Sequence, residues 1–169
     1  MDNSTNLALS NLSAELGQTL QKCGYVLSLA ESCTGGMVSA TITNTAGSST
    51  WFDRGFITYS NVSKQEMLGV SANTLEQFGA VSENTAEEMA LGAIKRSPAD
   101  IAVSITGIAG PGGGSTQKPV GTVCFAWGIK NGRLITGTEH FTGNRQAIRQ
   151  QAVIKAITGL LDLLKSQSA

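Results

Sequence analysis

The sequence predicts an α/β fold, a mixed β-sheet covered by helices on both faces. Three observations predict it. Helix-like and strand-like segments interleave through the first part of the chain. Ile101-Ala102-Val103-Ser104-Ile105 is a continuous apolar run of the kind a strand buried on both faces requires. Beyond it, two strand-like segments meet at Asn131-Gly132, a type I′ hairpin signal that adds an antiparallel pair.

In chain order, Leu7, Leu12, Leu16 and Leu20 predict an amphipathic helix from about Ser4 to Cys23, ended by Gly24. Val26-Leu27-Ser28-Leu29 reads as a strand. It runs into the tight turn Ala30-Glu31-Ser32-Cys33-Thr34-Gly35-Gly36, and a small-residue helix, Met37 to Thr45, follows. Ser48 or Ser49 would cap a short helical turn holding Trp51, and Phe56-Ile57-Thr58-Tyr59 would be a strand. Asn61 is expected to cap a short helix, Val62 to Leu68, and Asn73 to open a capping box with Glu76. Ser82 caps a helix to about Arg96 with Ala86, Met89, Ala90 and Ala93 on one face, and Pro98 closes it. A glycine loop from Thr106 to Pro119 leads to strands at Val120–Ile129 and Leu134–Phe141. Asn144 then caps a final helix striped by Ile148, Ala152, Ala156 and Leu160.

Composition narrows the function. With 169 residues the chain is expected to form one domain, 1–169, with a real core. Twelve basic residues balance twelve acidic ones, so neither a nucleic-acid nor a membrane surface is expected. Only 14% of residues are charged, while 41% are hydrophobic and 20 are glycine, which suits a compact enzyme with tight turns and some surface hidden in an oligomer. Cys23, Cys33 and Cys124 form no CxxC or Cys/His cluster, so no metal site is expected, and unpaired thiols suit a reducing cytoplasm. Met1 to Ser10 lacks the pattern of a signal peptide, and no apolar run approaches the ~20 residues of a membrane span.

The chemistry centres on the turn after the first strand. Ser32 reads either as a helix cap or as a nucleophile whose oxyanion is held by amides near Thr34 to Gly36. Cys33 is a rival nucleophile. The one histidine, His140, lies on the second hairpin strand and reads as an ordinary strand residue or as a base. Failing it, a lysine is the next candidate base, as in Ser–Lys variants of the triad. Lys64 stands in a first helical turn, and it reads as that base or as a solvated lysine. A helix dipole contributes about 0.3–1 kcal/mol. Moving a lysine from about 10.4 to 7–8 takes roughly 4 kcal/mol, so burial or a neighbouring cation must supply most of it. Arg145 and Arg149, at the start of the last helix, could be that cation or a substrate clamp. Tyr59 could relay a proton or be a plain strand aromatic. The loop Gly107 to Gly114 fits neither the dinucleotide fingerprint, because position 115 is Ser, nor a P-loop. It remains a ligand-facing loop or a connector.

These residues fall within five segments that together resemble the CinA C-terminal domain family. They are AESCTGG at 30–36, AGSSTWFDRGFITYSNVSKQEMLGV at 46–70, GAVSENTAEEMALGA at 79–93, SITGIAGPGGG at 104–114 and KPVGTV at 118–123. Gly112 stands where many relatives carry an acidic residue. The resemblance implies a three-layer α/β/α sandwich with a mixed sheet, a C-terminal β-hairpin and a C-terminal helix. Stand-alone members are nicotinamide-nucleotide amidases, so it implies hydrolysis of nicotinamide mononucleotide to nicotinate mononucleotide and ammonia, within pyridine nucleotide recycling. It implies no cofactor or metal, a small-molecule substrate, a homodimer and a cytoplasmic location. Carried over, Ser32 is the nucleophile, Lys64 its base and Tyr59 a further catalytic residue. Cys33, Thr34, Gly35, Gly36, Ser48, Thr106, Gly107 and Arg145 would line the substrate. The alternatives are an amidase of another substrate, or a non-catalytic partner domain in competence or DNA-damage response.

Overall fold

The computed structural model describes residues 3–167. The elements are α1 (Asn3–Cys23), β1 (Leu27–Glu31), α2 (Met37–Thr43), β2 (Phe52–Ile57), α3 (Asn61–Ser63), α4 (Ala72–Phe78), α5 (Glu83–Lys95), β3 (Ile101–Gly107), β4 (Thr122–Ile129), β5 (Leu134–His140) and α6 (Arg145–Lys165). A 3₁₀ turn, Ser48–Thr50, precedes β2, and a π-helical turn, Lys64–Leu68, continues α3. The five strands lie in the order β2-β1-β3-β4-β5. β1 runs parallel to both β2 and β3, whereas β4 and β5 add antiparallel pairs. The fold is therefore the expected α/β/α sandwich with a mixed sheet, a C-terminal hairpin and a C-terminal helix.

Strand pleating explains the layers, because alternate side chains leave opposite faces. Leu27, Leu29, Ile101, Val103, Ile105, Val123, Phe125 and Trp127 fill one face with buried residues of α1, α2 and α6. The intervening positions are small. Ala30 and Ala102 pack with Met89 and Ala93 of α5, and Cys124 and Ala126 with Ala86 and Ala90. Small residues on both partners let α5 lie close, and Ser104 Oγ reaches the Ala86 carbonyl at 2.5 Å. At Gly92 an added Cβ would come within 2.1 Å of the Leu68 carbonyl oxygen. That glycine lets α5 pack directly on the turn that carries Lys64.

Several local expectations change. In α1 Leu9, Leu16 and Leu20 are buried while Leu7 is 65% exposed, because the step from 7 to 12 turns away from the apolar face. The strand expected at Phe56–Tyr59 is Phe52–Ile57. It is an edge strand whose Asp53 and Arg54 face solvent, so it lacks the apolar pattern of a buried one. α3 is capped by Ser60 rather than Asn61, through a reciprocal box with Ser63. α4 begins after Ser71, and Asn73 bonds Gln77 instead of closing a box. Glu88 of α5 takes the Ser71 N–H and the Thr74 hydroxyl. In the hairpin only Asn131 has positive φ (56°), so residues Lys130–Gly132 form a longer loop than a type I′ turn.

Candidate active site

Parallel pairing brings the candidate residues together. β1 and β2 end side by side, with Glu31 opposite Ile57 and the Thr58 N–H on the Glu31 carbonyl at 2.8 Å. On the other side the Ser32 N–H bonds the Ile105 carbonyl at 2.9 Å. Ser32 thus sits just past the C-terminal end of β1, between β2 and β3. From these C-terminal ends the chain leaves β1 towards β2 and leaves β3 towards β4, in opposite directions along the sheet, the arrangement that opens a ligand crevice in α/β sheets.

The turn itself is built by Glu31. This carboxylate is fully buried and accepts the N–H groups of Gly36, Val38 and Ser39 and the Ser39 hydroxyl, at 2.7–3.1 Å. It caps α2 from the preceding strand, a role the sequence signals only as an acid shortly before a helix start. Gly35 and Gly36 take φ of 55° and 96°, which side chains resist. Ser32 is therefore not the cap of α2. Its hydroxyl is free for another partner.

That partner is Lys64. Its ammonium nitrogen Nζ lies 3.0 Å from Ser32 Oγ and 2.8 Å from the Thr58 carbonyl. Lys64 is 1% exposed, and no ion pair among the described residues involves it. Burial holds its amine below the usual lysine range. The cation expected to help, Arg145 or Arg149, is not a cause of that depression. Cys33 behaves in the opposite way. Burial pushes its thiol up to about 12, so at neutral pH it is not a thiolate.

The amides divide unequally. The Gly35 N–H is taken by the Ser32 carbonyl at 3.0 Å, and the Gly36 N–H by Glu31. The expected oxyanion donors at Gly35 and Gly36 are thus already committed. Among the described residues, no backbone carbonyl accepts the N–H groups of Cys33 and Thr34. Arg149 of α6 grips the same turn from its carbonyl side, through Nε to Cys33 O at 3.1 Å and Nη2 to Thr34 O at 2.7 Å.

The remaining candidates scatter. Tyr59 is 61% exposed, and its hydroxyl accepts from Arg145 Nη2 at 2.8 Å rather than meeting Ser32 or Lys64. Arg145 also donates to the Gly110 carbonyl at 2.8 Å, so it ties the glycine loop to the end of β2. The Thr106 hydroxyl is spent on the Ala80 carbonyl at 2.7 Å, beneath the site, and Gly107 closes β3. Ser48 stands apart. It lies beside Trp51, whose carbonyl accepts from Leu27 at the start of β1, so in this chain it sits at the opposite end of that strand from Ser32. His140 bonds Thr122 through Nδ1 at 3.2 Å on the hairpin, as an ordinary strand residue.

Fold and site together define a three-layer α/β/α protein with a serine–lysine pair at the end of its first strand. The chain belongs to the CinA C-terminal domain family, whose model matches residues 9–164. It is 53% identical over 159 residues to a nicotinamide-nucleotide amidohydrolase PncC of Enterobacter agglomerans, covering 94% of this chain and 97% of that one. It is 54% identical over 156 residues to the protein of that name in Escherichia coli K12, covering 92% and 94%. A solved competence/damage inducible protein CihA from Agrobacterium tumefaciens superposes with a TM-score of 0.90 at 45% identity, covering 92% of this chain and 94% of that one.

Proposed function

We propose that this protein hydrolyses the carboxamide of nicotinamide mononucleotide, giving nicotinate mononucleotide and ammonia, as one catalytic unit over residues 1–169 in pyridine nucleotide recycling. The single observation that carries the mechanism is the buried Lys64 amine 3.0 Å from Ser32 Oγ. The names of the PncC relatives support the substrate.

In this reading the neutral amine of Lys64 gives one N–H to the Thr58 carbonyl, which leaves its lone pair available to Ser32. Lys64 takes the Ser32 proton as Oγ bonds to the amide carbon. The carbonyl oxygen becomes an oxyanion, and the open amides of Cys33 and Thr34 receive it. Lys64 returns the proton to the leaving nitrogen, the C–N bond breaks and ammonia departs. Water, deprotonated by Lys64, then resolves the ester and frees Ser32. Tyr59 and Arg145 would meet the substrate from the rim, with glycine-loop amides and the Arg145 guanidinium as donors to phosphate. The low charge content supports a homodimer, and three cysteines without a CxxC pattern support a reducing cytoplasm.

The test is ammonia release from nicotinamide mononucleotide by the wild type and by folded Ser32→Ala. Release that disappears in Ser32→Ala is expected. A folded wild type that releases none would transfer the function to another amide or to a partner role.

A further inference from the structure

We infer that Arg149 is a positioning residue for the oxyanion site, a role that rests on Ser32 being the acyl-accepting nucleophile. The peptide between Cys33 and Thr34 is planar and trans, so its C=O and N–H point in opposite directions. Arg149 Nε binds that carbonyl at 3.1 Å, which aims the Thr34 N–H away from α6. Nη2 binds the next carbonyl at 2.7 Å, and the N–H of that second peptide, Gly35, is the one that closes the turn on Ser32 O. Two neighbouring peptides are thus held by one fork. The turn is gripped from both sides, by the Glu31 carboxylate on its N–H groups and by the Arg149 guanidinium on its carbonyls. What is left over is the pair of N–H groups at Cys33 and Thr34, which no backbone carbonyl among the described residues takes.

The charge adds to the geometry. A cation on a carbonyl polarises the peptide and makes its N–H a stronger donor. Lysine reproduces this poorly, because its compact ammonium lacks the planar, rigid fork that fits two neighbouring carbonyls. Arg149 differs here from Arg145, four residues earlier on α6, whose partners are Tyr59 and Gly110 at the rim.

The experiment compares wild type, Ser32→Ala, Arg149→Lys and Arg149→Ala with two readouts. The first is steady-state hydrolysis of nicotinamide mononucleotide. The second is the rate at which a simple alkyl fluorophosphonate labels Ser32, followed by intact mass. There Oγ bonds to phosphorus, fluoride leaves, Lys64 takes the proton, and the phosphoryl oxygen uses the same amides. Arg149→Lys is expected to lower kcat by about 10²-fold with little change in KM, the loss typical of one oxyanion donor, and to slow labelling by a similar factor. Methylguanidinium is expected to restore part of both rates to Arg149→Ala. Unchanged kcat and labelling in Arg149→Lys, or a rise in KM alone, would overturn the inference while leaving Ser32 as nucleophile. Labelling of Ser32 without hydrolysis of the nucleotide would refute the substrate, and the labelling rates would still decide on Arg149. Failure of wild-type Ser32 to label at all overturns the nucleophile and this inference with it.

Discussion

Glu31 and Lys64 are both withdrawn from water, at 0% and 1% exposure; Glu31 ends β1, and Lys64 opens the π-helical turn that follows the neighbouring parallel strand β2. Glu31 has four donors on its two oxygens. Lys64 has a serine hydroxyl and one carbonyl, and no carboxylate. A buried charge whose hydrogen-bonding capacity is filled holds structure in place. One left without a countercharge has its proton equilibrium displaced and becomes available for proton transfer. In the proposed mechanism the same depth of burial therefore makes one residue architectural and the other reactive.

The largest effect should come from removing the reactive member. Lys64→Met is expected to cut kcat/KM by about 10⁴-fold, the upper range for a lost general base. Its thermal midpoint should hold or rise, because an amine that resists desolvation is replaced by an apolar chain of similar length. Calorimetry beside an ammonia assay checks both halves. A Tm that falls with activity would show that Lys64 is structural, like Glu31.

Next is the architectural member. Glu31→Gln turns part of an all-acceptor carboxylate into an NH₂ group facing backbone donors. The expected cost is about 3 kcal/mol, a Tm lower by roughly 6–12 °C. Chemical denaturation would measure it directly, and an unchanged midpoint would break the contrast between the two residues.

Titration sharpens the comparison further. Because burial lowers the Lys64 amine from 10.5, activity should rise with pH along one limb whose midpoint lies below 10.5, then level off. Stability follows the same sign. Between the lowered value and 10.5 the unfolded chain holds the proton and the folded one does not, so stability increases with pH across that window. Below the lowered value the penalty is fully present. Lys64→Met should abolish this dependence.

The smallest effect is expected at Cys33. Its thiol is held protonated by burial, so Cys33→Ala should keep near wild-type turnover and lose about 1 kcal/mol of stability from the small void. Loss of turnover to the level of Ser32→Ala would make the cysteine a participant.

Much of the layering was legible along the chain. Alternation of large and small residues in β3, Ile101-Ala102-Val103-Ser104-Ile105, already states which face takes the bulky core and which takes a close helix. The stripes of α5 and α6 and the caps Ser82 and Asn144 were legible for the same reason, since each depends on neighbours within a turn or two. β2 was misplaced because an edge strand buries little and carries no strong period. Ser48 shares a motif with residues near the site in sequence, yet a helix and a turn carry the chain back along the sheet before it is reached.

The class of fold, the family, and the serine and lysine worth watching follow from the residues in order. Local periods, caps and glycine positions are written in contiguous residues and need no partner to be read. Only the tertiary structure decided that Ser32 and Lys64 meet, that Glu31 and not Ser32 caps α2, and that the Cys33 and Thr34 amides are the ones left open. The first depends on the register of parallel strands and the last on an arginine more than a hundred residues away, and such long-range pairings leave no periodic trace in the chain; the Glu31 cap is local, but nothing in the residue types says that the acid and not the serine turns towards α2.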